Sequence, residues 1–399
     1  MIHGLIRKLR GTVYRSAVRL TTRGGVNPTK VVFNQTDGNG FGCNQKYIAR
    51  EILRRHPDWD LVWLCRDAKT AASLPEGIRA VPFFSFAAMK ELMTAGFWCS
   101  NQFFRHHVKH CGLLKRPGQF YFQTWHGSMG IKTVHSGKSW AEAHPESAGN
   151  EFKRLEGAMV DFAIANSRWD AEQQLDFYFG HGEPKLFGHP RNDLFFSPEA
   201  VRSAREKVFA RYGFAPDTKT VLYVPTLRLD KRYDGYLYRY DELLAAAARR
   251  FGGEWKLLAR IHPVLLHKGR GFTAANGVAN ASDYPDIQEL MAAADILVSD
   301  YSSCMFDYML QRRPCFAYVP DLDSYEKNEG LVYPLSETPF PVAKTPEELA
   351  AAVTGFDADR YPAAVDGFLA GKGCAEDGRA AERTVDLMEA CLNRRNQKG

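Results

Sequence analysis

The chain has 399 residues, of which 45% are hydrophobic and 25% are charged, and this length exceeds what one hydrophobic core usually supports. Its net charge is only +6, which gives no reason to expect nucleic acid as a partner. No apolar run approaches the roughly 18 residues that a membrane-spanning helix needs, so we expect no such helix.

The first 29 residues form a basic segment. In MIHGLIRKLRGTVYRSAVRL, apolar residues recur at helical spacing, and basic residues such as Arg7 and Arg10 fall mostly off that stripe. An amphipathic helix of this kind can lie on an anionic membrane surface, where each basic residue adds about 1 kcal/mol. The alternative is a helix that packs on the body of the protein with its basic face in solvent. The segment lacks the apolar core and the cleavage site of a secretory signal, so we do not expect it to be one.

Eight cysteines are scattered along the chain without a CxxC pair. Several lie in apolar runs, such as Cys65 and Cys315, which is typical of reduced core residues in the cytoplasm. We therefore expect neither disulfides nor zinc. No spaced cluster of histidines or carboxylates indicates another metal site, and we expect no cofactor. The sequence leaves Asp230 and Asp307 open as lone metal contacts.

From Lys30 onward, short apolar runs alternate with helical patterns, which predicts parallel β-α-β units. A first domain is predicted over residues 30–212. Its near-continuously apolar strands are typical of a sheet that is covered on both faces. These strands are expected near residues 30–35, 60–67, 78–84, 97–102, 119–127, 159–167 and 185–193. The turn TDGNGFG after the first strand lacks the GxGxxG spacing of a dinucleotide-binding fingerprint.

A second series of strands and helices predicts a second domain over residues 213–399. Its strands are expected near residues 220–228, 255–263, 277–285, 295–303 and 314–320, followed by a helical tail from about residue 346. The predicted fold class is α/β, with two Rossmann-like, doubly wound parallel-sheet domains. Two such domains facing each other place a ligand cleft between them, at the carboxyl ends of their strands.

The motif TWHGS places His126 directly after a predicted strand. Histidine at this position can act as a general base, because its ordinary pKa lets it accept a proton at neutral pH. Gly127 and Lys132 follow in the same turn. The alternative interpretation is a structural histidine that is hydrogen-bonded within the turn.

In the second domain, RIHP ends a predicted strand at His262, which can hold a phosphate oxygen or simply end the strand. The motifs GHPRND and PTLR add Arg191 and Arg228, with Thr226 beside the latter. A guanidinium group can bind phosphate through two parallel hydrogen bonds. Taken singly, each of these arginines is as consistent with an ordinary surface residue.

The motif SDYSS places Asp300, Ser302 and Ser303 between a strand and a helix that begins near Cys304. Main-chain N–H groups at a helix start bind anions, and serine hydroxyls add further donors. The alternative is that one of the serines is an ordinary N-cap. Both interpretations are compatible.

Together these motifs resemble a known family. QTWHGSMGIK, FGHPRND, VLYVPTLR, RIHP and the long block from Asp283 to Tyr333 are similar to the CDP-glycerol glycerophosphotransferases of teichoic-acid and capsule assembly. Their order and spacing correspond from about Lys30 to Leu349, and the long block is the most specific part. The resemblance implies a two-domain GT-B architecture and association with the inner membrane surface.

The resemblance also implies roles for individual residues. His126 corresponds to the histidine assigned as base in this family, and Gly127, Lys132 and Arg191 correspond to cleft or acceptor positions. The implied donor-binding residues are His262, Arg228, Thr226, Asp300, Ser302 and Ser303. Where the family commonly has Thr-Pro-Leu-Lys after its WHG turn, this chain has Ser-Met-Gly-Ile-Lys. This departure concerns the acceptor rather than the donor.

The implied reaction moves glycerol-phosphate from CDP-glycerol to a hydroxyl of a lipid-linked or polyol-phosphate acceptor and releases CMP. The enzyme is expected in the cytoplasm, peripherally on the inner face of the membrane with its anionic lipids. Two enzymatic alternatives stay open, the use of CDP-ribitol and a nucleotide-sugar glycosyltransferase on the same fold. A third alternative is a non-catalytic scaffold, against which the pair of histidines argues.

Overall fold

The structure is a computed structural model, and it describes Ser16 and residues 25–131, 151–172, 182–226, 239–261, 277–328 and 330–396. The chain divides into two compact units. Among the described residues, the first unit contains those up to His126, those from 151 to Asp193 and those from Ala375 onward. The second unit contains residues 127–131 and the described residues from Leu194 to Cys374.

The first unit is built on a parallel sheet of seven strands in the order β3-β2-β1-β4-β5-β6-β7. The strands are β1 Asn27–Asn34, β2 Asp60–Cys65, β3 Ile78–Pro82, β4 Ala95–Ser100, β5 Phe120–Gln123, β6 Phe162–Ala165 and β7 Glu183–Leu186. Its helices up to residue 172 are α1 Cys43–Arg55, α2 Ala68–Ala72, α3 Phe86–Thr94, α4 Glu151–Gly157 and the single turn α5 Arg168–Asp170. A π-helical turn covers His107–Cys111.

Apolar clusters cover both faces of this sheet because alternate strand residues point to opposite sides. Val32 and Trp98 belong to the cluster on one face, and Phe33 and Phe97 belong to the cluster on the other. In register, Val32 pairs with Val62 on one side and with Trp98 on the other. The near-continuous apolar strands of the sequence are therefore explained by burial from both sides.

The second unit contains a parallel sheet of six strands in the order β10-β9-β8-β11-β12-β13. The strands are β8 Lys219–Val224, β9 Trp255–Ala259, β10 Val278–Asn280, β11 Ile296–Ser299, β12 Cys315–Tyr318 and β13 Val342–Ala343. Its helices are α6 Pro198–Tyr212, α7 Tyr240–Phe251, α8 Ile287–Ala293, α9 Cys304–Tyr308, α10 Leu322–Asn328, α11 Pro346–Thr354 and α12 Tyr361–Gly371. The prediction of two parallel-sheet α/β domains is confirmed.

Local sequence explains where several of these helices begin. Ser85, Ser197 and Thr345 each accept a main-chain N–H from the first turn of α3, α6 and α11, as expected of N-cap residues. Pro198 and Pro346 follow two of these caps, at the positions where a helix has no need of the missing N–H. The two shortest strands differ in their agreement with the prediction, because β10, with 3 residues, lies inside the predicted run 277–285, whereas β13, with 2 residues, has no counterpart among the predicted strands.

The last helix, α13 Ala380–Asn396, packs on α1 of the first unit. Its residues Val385, Met388 and Cys391 are part of the apolar cluster around Phe33. The sequence-based division differs here, because it assigned everything from residue 213 to the second domain. The periodicity of a helix shows which face is apolar but not which sheet covers that face.

Within the residues that the structure describes, no helix is both long enough and apolar enough to cross a membrane. The predicted amphipathic segment, residues 1–23, lies outside the described residues apart from Ser16.

Candidate functional site

Several predicted site residues follow the carboxyl ends of strands in the first sheet. Because all of its strands are parallel, the loops that follow β1, β4 and β5 emerge at one edge. We call this edge, formed by the residues just after these strands, the carboxyl edge of the first sheet. It includes Asn101 after β4 and His126 after β5.

His126 has an exposed side chain whose ring is oriented by the main chain. Its Nδ1 lies 2.8 Å from the carbonyl oxygen of Asn101. A carbonyl oxygen can only accept, so Nδ1 carries a proton and the lone pair of the neutral ring is on Nε2. The ring also packs against the Trp125 ring, and the two ring centroids are 4.3 Å apart. The tautomer is therefore the one in which Nε2 can take up a proton.

The turn before His126 has an unusual backbone conformation. Trp125 has a φ of 51°, in the left-handed region that a bulky residue rarely adopts without support from its surroundings. The Gln123 side-chain oxygen accepts the main-chain N–H of Trp125 at 3.0 Å. The amide of Asn44 donates to the carbonyl oxygens of Thr124 and Trp125 at 3.1 and 3.0 Å. Neighbouring polar side chains thus hold the turn in place.

A buried carboxyl group lies behind this turn. Glu156 is fully buried, and its Oε1 accepts from the Tyr121 hydroxyl at 2.8 Å and from the main-chain N–H of Phe104 at 2.5 Å. Burial raises the pKa of Glu156 to about 8, because the charged form loses its hydration. The Tyr121 hydroxyl in turn accepts from the amide of Gln123 at 3.0 Å. Glu156 is thereby linked through side chains to the residue that supports Trp125.

The motif GHPRND contributes several buried side chains to the first unit, among them those of His189 and Arg191. Arg191 is only 3% exposed, and its guanidinium contacts the Cys43 sulfur at 3.7 Å at the start of α1. Burial, together with the positive charge of Arg191, holds the pKa of His189 well below its usual range. His189 is therefore neutral, and it lies within electrostatic reach of His126. Arg191 was predicted to line the cleft or the acceptor site.

In the second unit, Asp300 ties two strand ends together. Its carboxylate oxygens accept the main-chain N–H of Thr226 at 3.0 and 2.9 Å and that of Tyr301 at 2.6 Å. Asp300 is only 2% exposed. Thr226 follows β8 and Asp300 follows β11, and these strands are parallel neighbours. These contacts are those of a residue that positions the two loops.

The two serines after Asp300 differ in their hydrogen bonding. The Ser302 hydroxyl accepts the main-chain N–H of Cys304 at 3.4 Å, which is a long capping contact. The Ser303 hydroxyl makes no capping hydrogen bond to α9. Both side chains are partly exposed. The structure therefore agrees with the N-cap interpretation only for Ser302.

Residues 127–131, which include Gly127, belong to the second unit, and their contacts there include the following hydrogen bonds. The Ser128 hydroxyl donates to the Asp307 carboxyl at 2.5 Å, in the helix that Ser303 precedes. The Tyr333 hydroxyl donates to the carbonyl oxygen of Met129. The main-chain N–H of Val332 donates to the carbonyl oxygen of Ile131 at 2.8 Å. The residues that follow His126 in the chain therefore contact α9.

A side chain at Gly130 would meet Ser303 directly, because a Cβ atom there would lie 3.5 Å from the Ser303 Cβ. Gly130 is one of the positions at which this chain departs from the common family pattern. Gly130, in the segment after His126, and the predicted site residue Ser303 are therefore neighbours within the second unit.

Three predicted residues, Lys132, Arg228 and His262, lie outside the described residues. Within the described ranges, no group of three or more histidine, cysteine, aspartate or glutamate residues is arranged to hold a metal ion. Asp307, one of the acids left open as metal contacts, is bonded to Ser128 and accepts from the Gln288 amide at 3.3 Å.

Several residues around the site have no role that the sequence motifs predict. Ser128 and His189 lie inside quoted motifs, directly beside the assigned residues, and proximity to those residues was the available signal. Asn101 and Glu156 follow no recognisable motif, and nothing in the sequence connects them to His126. Their partners lie 25 and 35 residues away in the chain.

Comparisons with known proteins agree with these observations. The sequence profile of the family described as CDP-Glycerol:Poly(glycerophosphate) glycerophosphotransferase matches residues 14–390. The teichoic acid poly(glycerol phosphate) polymerase of Bacillus subtilis (strain 168) is 27% identical over 397 residues, which cover 96% of this chain and 51% of that protein. The teichoic acid glycerol-phosphate transferase of Staphylococcus aureus (strain NCTC 8325 / PS 47) is 26% identical over 372 residues, covering 91% and 93%.

The chain thus spans about half the length of the first of these relatives. Among solved structures, the wall teichoic acid polymerase TagF superimposes with a TM-score of 0.81 at 23% identity, covering 99% of each chain. This likeness concerns the fold, and it confirms the predicted GT-B-like architecture.

Proposed function

This chain belongs to the CDP-glycerol:poly(glycerophosphate) glycerophosphotransferase family, and we propose that it transfers glycerol-phosphate from CDP-glycerol to a hydroxyl group of an acceptor. The acceptor is a lipid-linked or polyol-phosphate molecule of teichoic-acid or capsule synthesis. The relatives named above carry out steps of teichoic acid assembly according to their names.

The observation that carries this proposal is the orientation of His126. With Nδ1 donating to Asn101, Nε2 accepts the proton of the acceptor hydroxyl. The acceptor oxygen forms a bond to the β-phosphorus of CDP-glycerol, and the bond from this phosphorus to the bridging oxygen breaks. CMP leaves with the electron pair of that bond. General-base assistance of this kind contributes about 10²–10⁴ in rate.

The donor is held by the second unit. The hydroxyls of Ser302 and Ser303 donate to phosphate oxygens, together with His262 and Arg228. These groups counter the charge that grows on the bridging oxygen as CMP leaves. We assign Asp300 a positioning role, because its carboxylate already binds the main-chain N–H of Thr226 and its charge would repel a pyrophosphate. Thr226 is the residue that it positions.

We assign roles on the acceptor side of the reaction to Arg191 in the first unit and to Gly127 and Lys132, which follow His126 in the chain. The transfer reaction takes place at the cytoplasmic face of the membrane, where a lipid-linked acceptor and dissolved CDP-glycerol meet. The basic amphipathic segment, residues 1–23, contributes to attachment by lying on anionic lipid. Its binding weakens at high salt, since screening shortens the reach of charge to about 3 Å at 1 M.

The proposal is tested by measuring nucleotide release from three donors with a panel of lipid-linked and soluble polyol-phosphate acceptors. The donors are CDP-glycerol, CDP-ribitol and a UDP-sugar. We expect CMP release from CDP-glycerol that depends on an acceptor and is accompanied by growth of that acceptor by one glycerol-phosphate mass or more. Release of CMP only from CDP-ribitol would change the donor, and release of UDP would assign the chain to sugar transfer.

A further inference from the structure

Glu156 lies on α4 and connects two segments of the first unit that meet at His126, on the carboxyl edge of the first sheet. Its carboxyl group is fully buried, and Oε1 accepts from the Tyr121 hydroxyl at 2.8 Å and from the main-chain N–H of Phe104 at 2.5 Å. Tyr121 lies on β5, which leads to His126, and Phe104 lies in the loop after β4, which contains Asn101. One side chain therefore contacts both the strand that leads to the proposed base and the loop that orients its ring.

The first connection runs through side chains to the turn before His126. Because the Tyr121 hydroxyl donates its proton to the acid, it can only accept from the Gln123 amide, whose nitrogen lies 3.0 Å away. The same nitrogen donates to the carbonyl oxygen of Gln102 at 3.2 Å. These contacts turn the Gln123 oxygen toward the main-chain N–H of Trp125, which it accepts at 3.0 Å. The direction of each hydrogen bond is therefore set by the one before it.

The second connection runs through the loop after β4. The acid accepts the main-chain N–H of Phe104 at 2.5 Å, and the carbonyl oxygen of Gln102 is held by the bond described above. Asn101, at the start of this loop, is only 1% exposed. Its carbonyl oxygen accepts from Nδ1 of His126 at 2.8 Å. The loop that sets the tautomer of His126 is thus held by the same acid as the turn that precedes His126.

The Glu156 carboxyl group is a neutral acceptor. Burial raises its pKa to about 8, so it is protonated at neutral pH. Among the described residues, its Oε2 is buried and has no hydrogen-bond partner, whereas Oε1 accepts both bonds. The oxygen of a glutamine amide can accept the same two bonds, but a leucine side chain of similar size cannot.

Two features along these connections are energetically costly. A buried carboxyl group with an unpartnered oxygen costs free energy that an apolar side chain would not. The left-handed φ of Trp125 adds a further cost. Both features lie on the path of hydrogen bonds that ends at His126, and costs of this kind concentrate at functional sites. Their placement favours a role in the reaction over a role in stability alone.

We propose that Glu156 is a positioning residue for proton transfer, which acts through Tyr121 and Gln123 to keep Nε2 of His126 directed toward the acceptor hydroxyl. This inference rests on the proposed function, since it takes His126 as the base. Without the Oε1 acceptor, the Tyr121 hydroxyl can donate to Gln123, and the Gln123 amide then turns its oxygen away from Trp125. The His126 ring consequently takes up several orientations, of which only some are productive.

The kinetic test compares three variants with the unaltered protein, using CDP-glycerol and a soluble polyol-phosphate acceptor. Tyr121→Phe and Glu156→Leu should each lower kcat for CMP release by about tenfold or more, because a small misplacement of the base has effects of this size. Donor affinity, measured by calorimetry, and KM for CDP-glycerol should stay unchanged. Glu156→Gln should keep kcat within about twofold of the unaltered value, because its amide oxygen accepts both hydrogen bonds.

Nitrogen-15 NMR of histidine-labelled protein observes the ring directly. The signals of His126 are identified by their loss in His126→Ala. At about pH 7.5, where an ordinary histidine is mostly neutral, the unaltered protein and Glu156→Gln should show the tautomer with the proton on Nδ1. Tyr121→Phe should show a mixture of the two neutral tautomers. A change in stability alone leaves the tautomer of the folded protein as it was, so this readout separates positioning from folding.

Tyr284→Phe is the matched control, because the Tyr284 hydroxyl also donates to a glutamate, Glu289, at 2.8 Å but lies in the second unit. It should leave kcat and the His126 tautomer unchanged. If Glu156→Leu does not fold, Tyr121→Phe decides the question, since it removes a single oxygen atom.

Three results would overturn the inference. The first is an unchanged kcat and an unchanged tautomer in Tyr121→Phe. The second is an equal loss of kcat in Tyr121→Phe and Tyr284→Phe, and the third is a loss in Glu156→Gln as large as in Glu156→Leu. Absent CMP release in the unaltered protein would instead refute the proposed function, and the tautomer of His126 would then decide the positioning role of Glu156 by itself.

Discussion

The Tyr121 hydroxyl donates to the carboxyl of Glu156 at 2.8 Å, inside the first unit. Tyr121 also accepts from Gln123, which supports the left-handed Trp125 directly before His126. A fully buried acid therefore stands at the inner end of a chain of hydrogen bonds that leads to the proposed base. His107, a buried histidine on the π-helical turn, is neutral because burial lowers its pKa to about 4.

The first prediction concerns Glu156 and pH. Burial raises its pKa from 4.5 to about 8, so the folded state holds this proton more tightly than the unfolded state. The stability that comes from this tighter binding of the Glu156 proton is fully present below about pH 4.5, and it is lost as the pH rises through about 8. Relative to Glu156→Gln, the unfolding free energy of the unaltered protein should fall by up to about 1.4 kcal/mol per pH unit.

Urea unfolding of both proteins at about pH 6 and about pH 8 measures this difference. Other titrating groups that are not coupled to Glu156, such as Asp193, cancel because both proteins contain them. Parallel pH dependence in the two proteins would show that Glu156 does not hold its proton in the folded state.

The second prediction concerns the proposed base. His126→Ala should lower CMP release by about 10²-fold or more while donor binding stays nearly intact, because only proton removal is lost. His56→Ala is the control, since His56 pairs with Glu389 at 2.6 Å after the end of α1. Near-normal turnover in His126→Ala would assign proton removal to another group.

The third prediction concerns the donor. Ser302→Ala with Ser303→Ala should weaken CDP-glycerol binding, because phosphate oxygens lose two hydroxyl donors that are worth about 0.5–1.5 kcal/mol each. Calorimetry gives the affinity directly. Since Ser302 also accepts from Cys304, the single variants should differ, with Ser302→Ala costing more fold stability than Ser303→Ala. Unchanged affinity in the double variant would place the pyrophosphate elsewhere.

The fourth prediction concerns the segment after His126. A double-mutant cycle of Ser128→Ala and Asp307→Asn should give a coupling energy of about 1–3 kcal/mol in unfolding experiments, as for a hydrogen bond to a carboxyl that is buried from water. If the oxygen of the new amide stays toward the Gln288 donor, its NH2 group faces Ser128, so the cycle measures the hydrogen bond that the Ser128 hydroxyl donates to a carboxyl oxygen. Additive effects of the two changes would mean that this contact contributes nothing to stability.

The fifth prediction concerns the C-terminal helix. Asp193 accepts the main-chain N–H groups of Ala380 and Ala381 at 2.9 and 2.8 Å, at the start of α13. Asp193→Ala should cost about 1–2 kcal/mol of stability, whereas Asp193→Asn should cost less because an amide oxygen still caps the helix. Equal losses in the two variants would point to the charge of Asp193 rather than its capping bonds.

Much of the fold was predictable because parallel strands buried on both faces leave a plain signal in the sequence. Runs such as KVVFNQ and DILVSDYSS became β1 and β11 at the predicted places. The predicted strand at 277–285 was reduced to Val278–Asn280. After it the chain turns, and the carbonyl oxygens of Ala281 and Tyr284 accept from the Arg260 guanidinium. A short run such as GVANASDYP cannot by itself distinguish a strand from such a turn.

The sequence by itself determined the fold class, the family, and the motifs around His126 and Ser302, since each depends on residues that are neighbours in the chain. Only the tertiary structure decided how these motifs are held. Ser128 meets Asp307 across 179 residues, and Asp193 caps a helix 187 residues later. The same holds for the His126 tautomer, which depends on a carbonyl oxygen at Asn101. Contacts of this kind join groups through packing, and neither periodicity nor motif spacing records which distant residues packing will bring together.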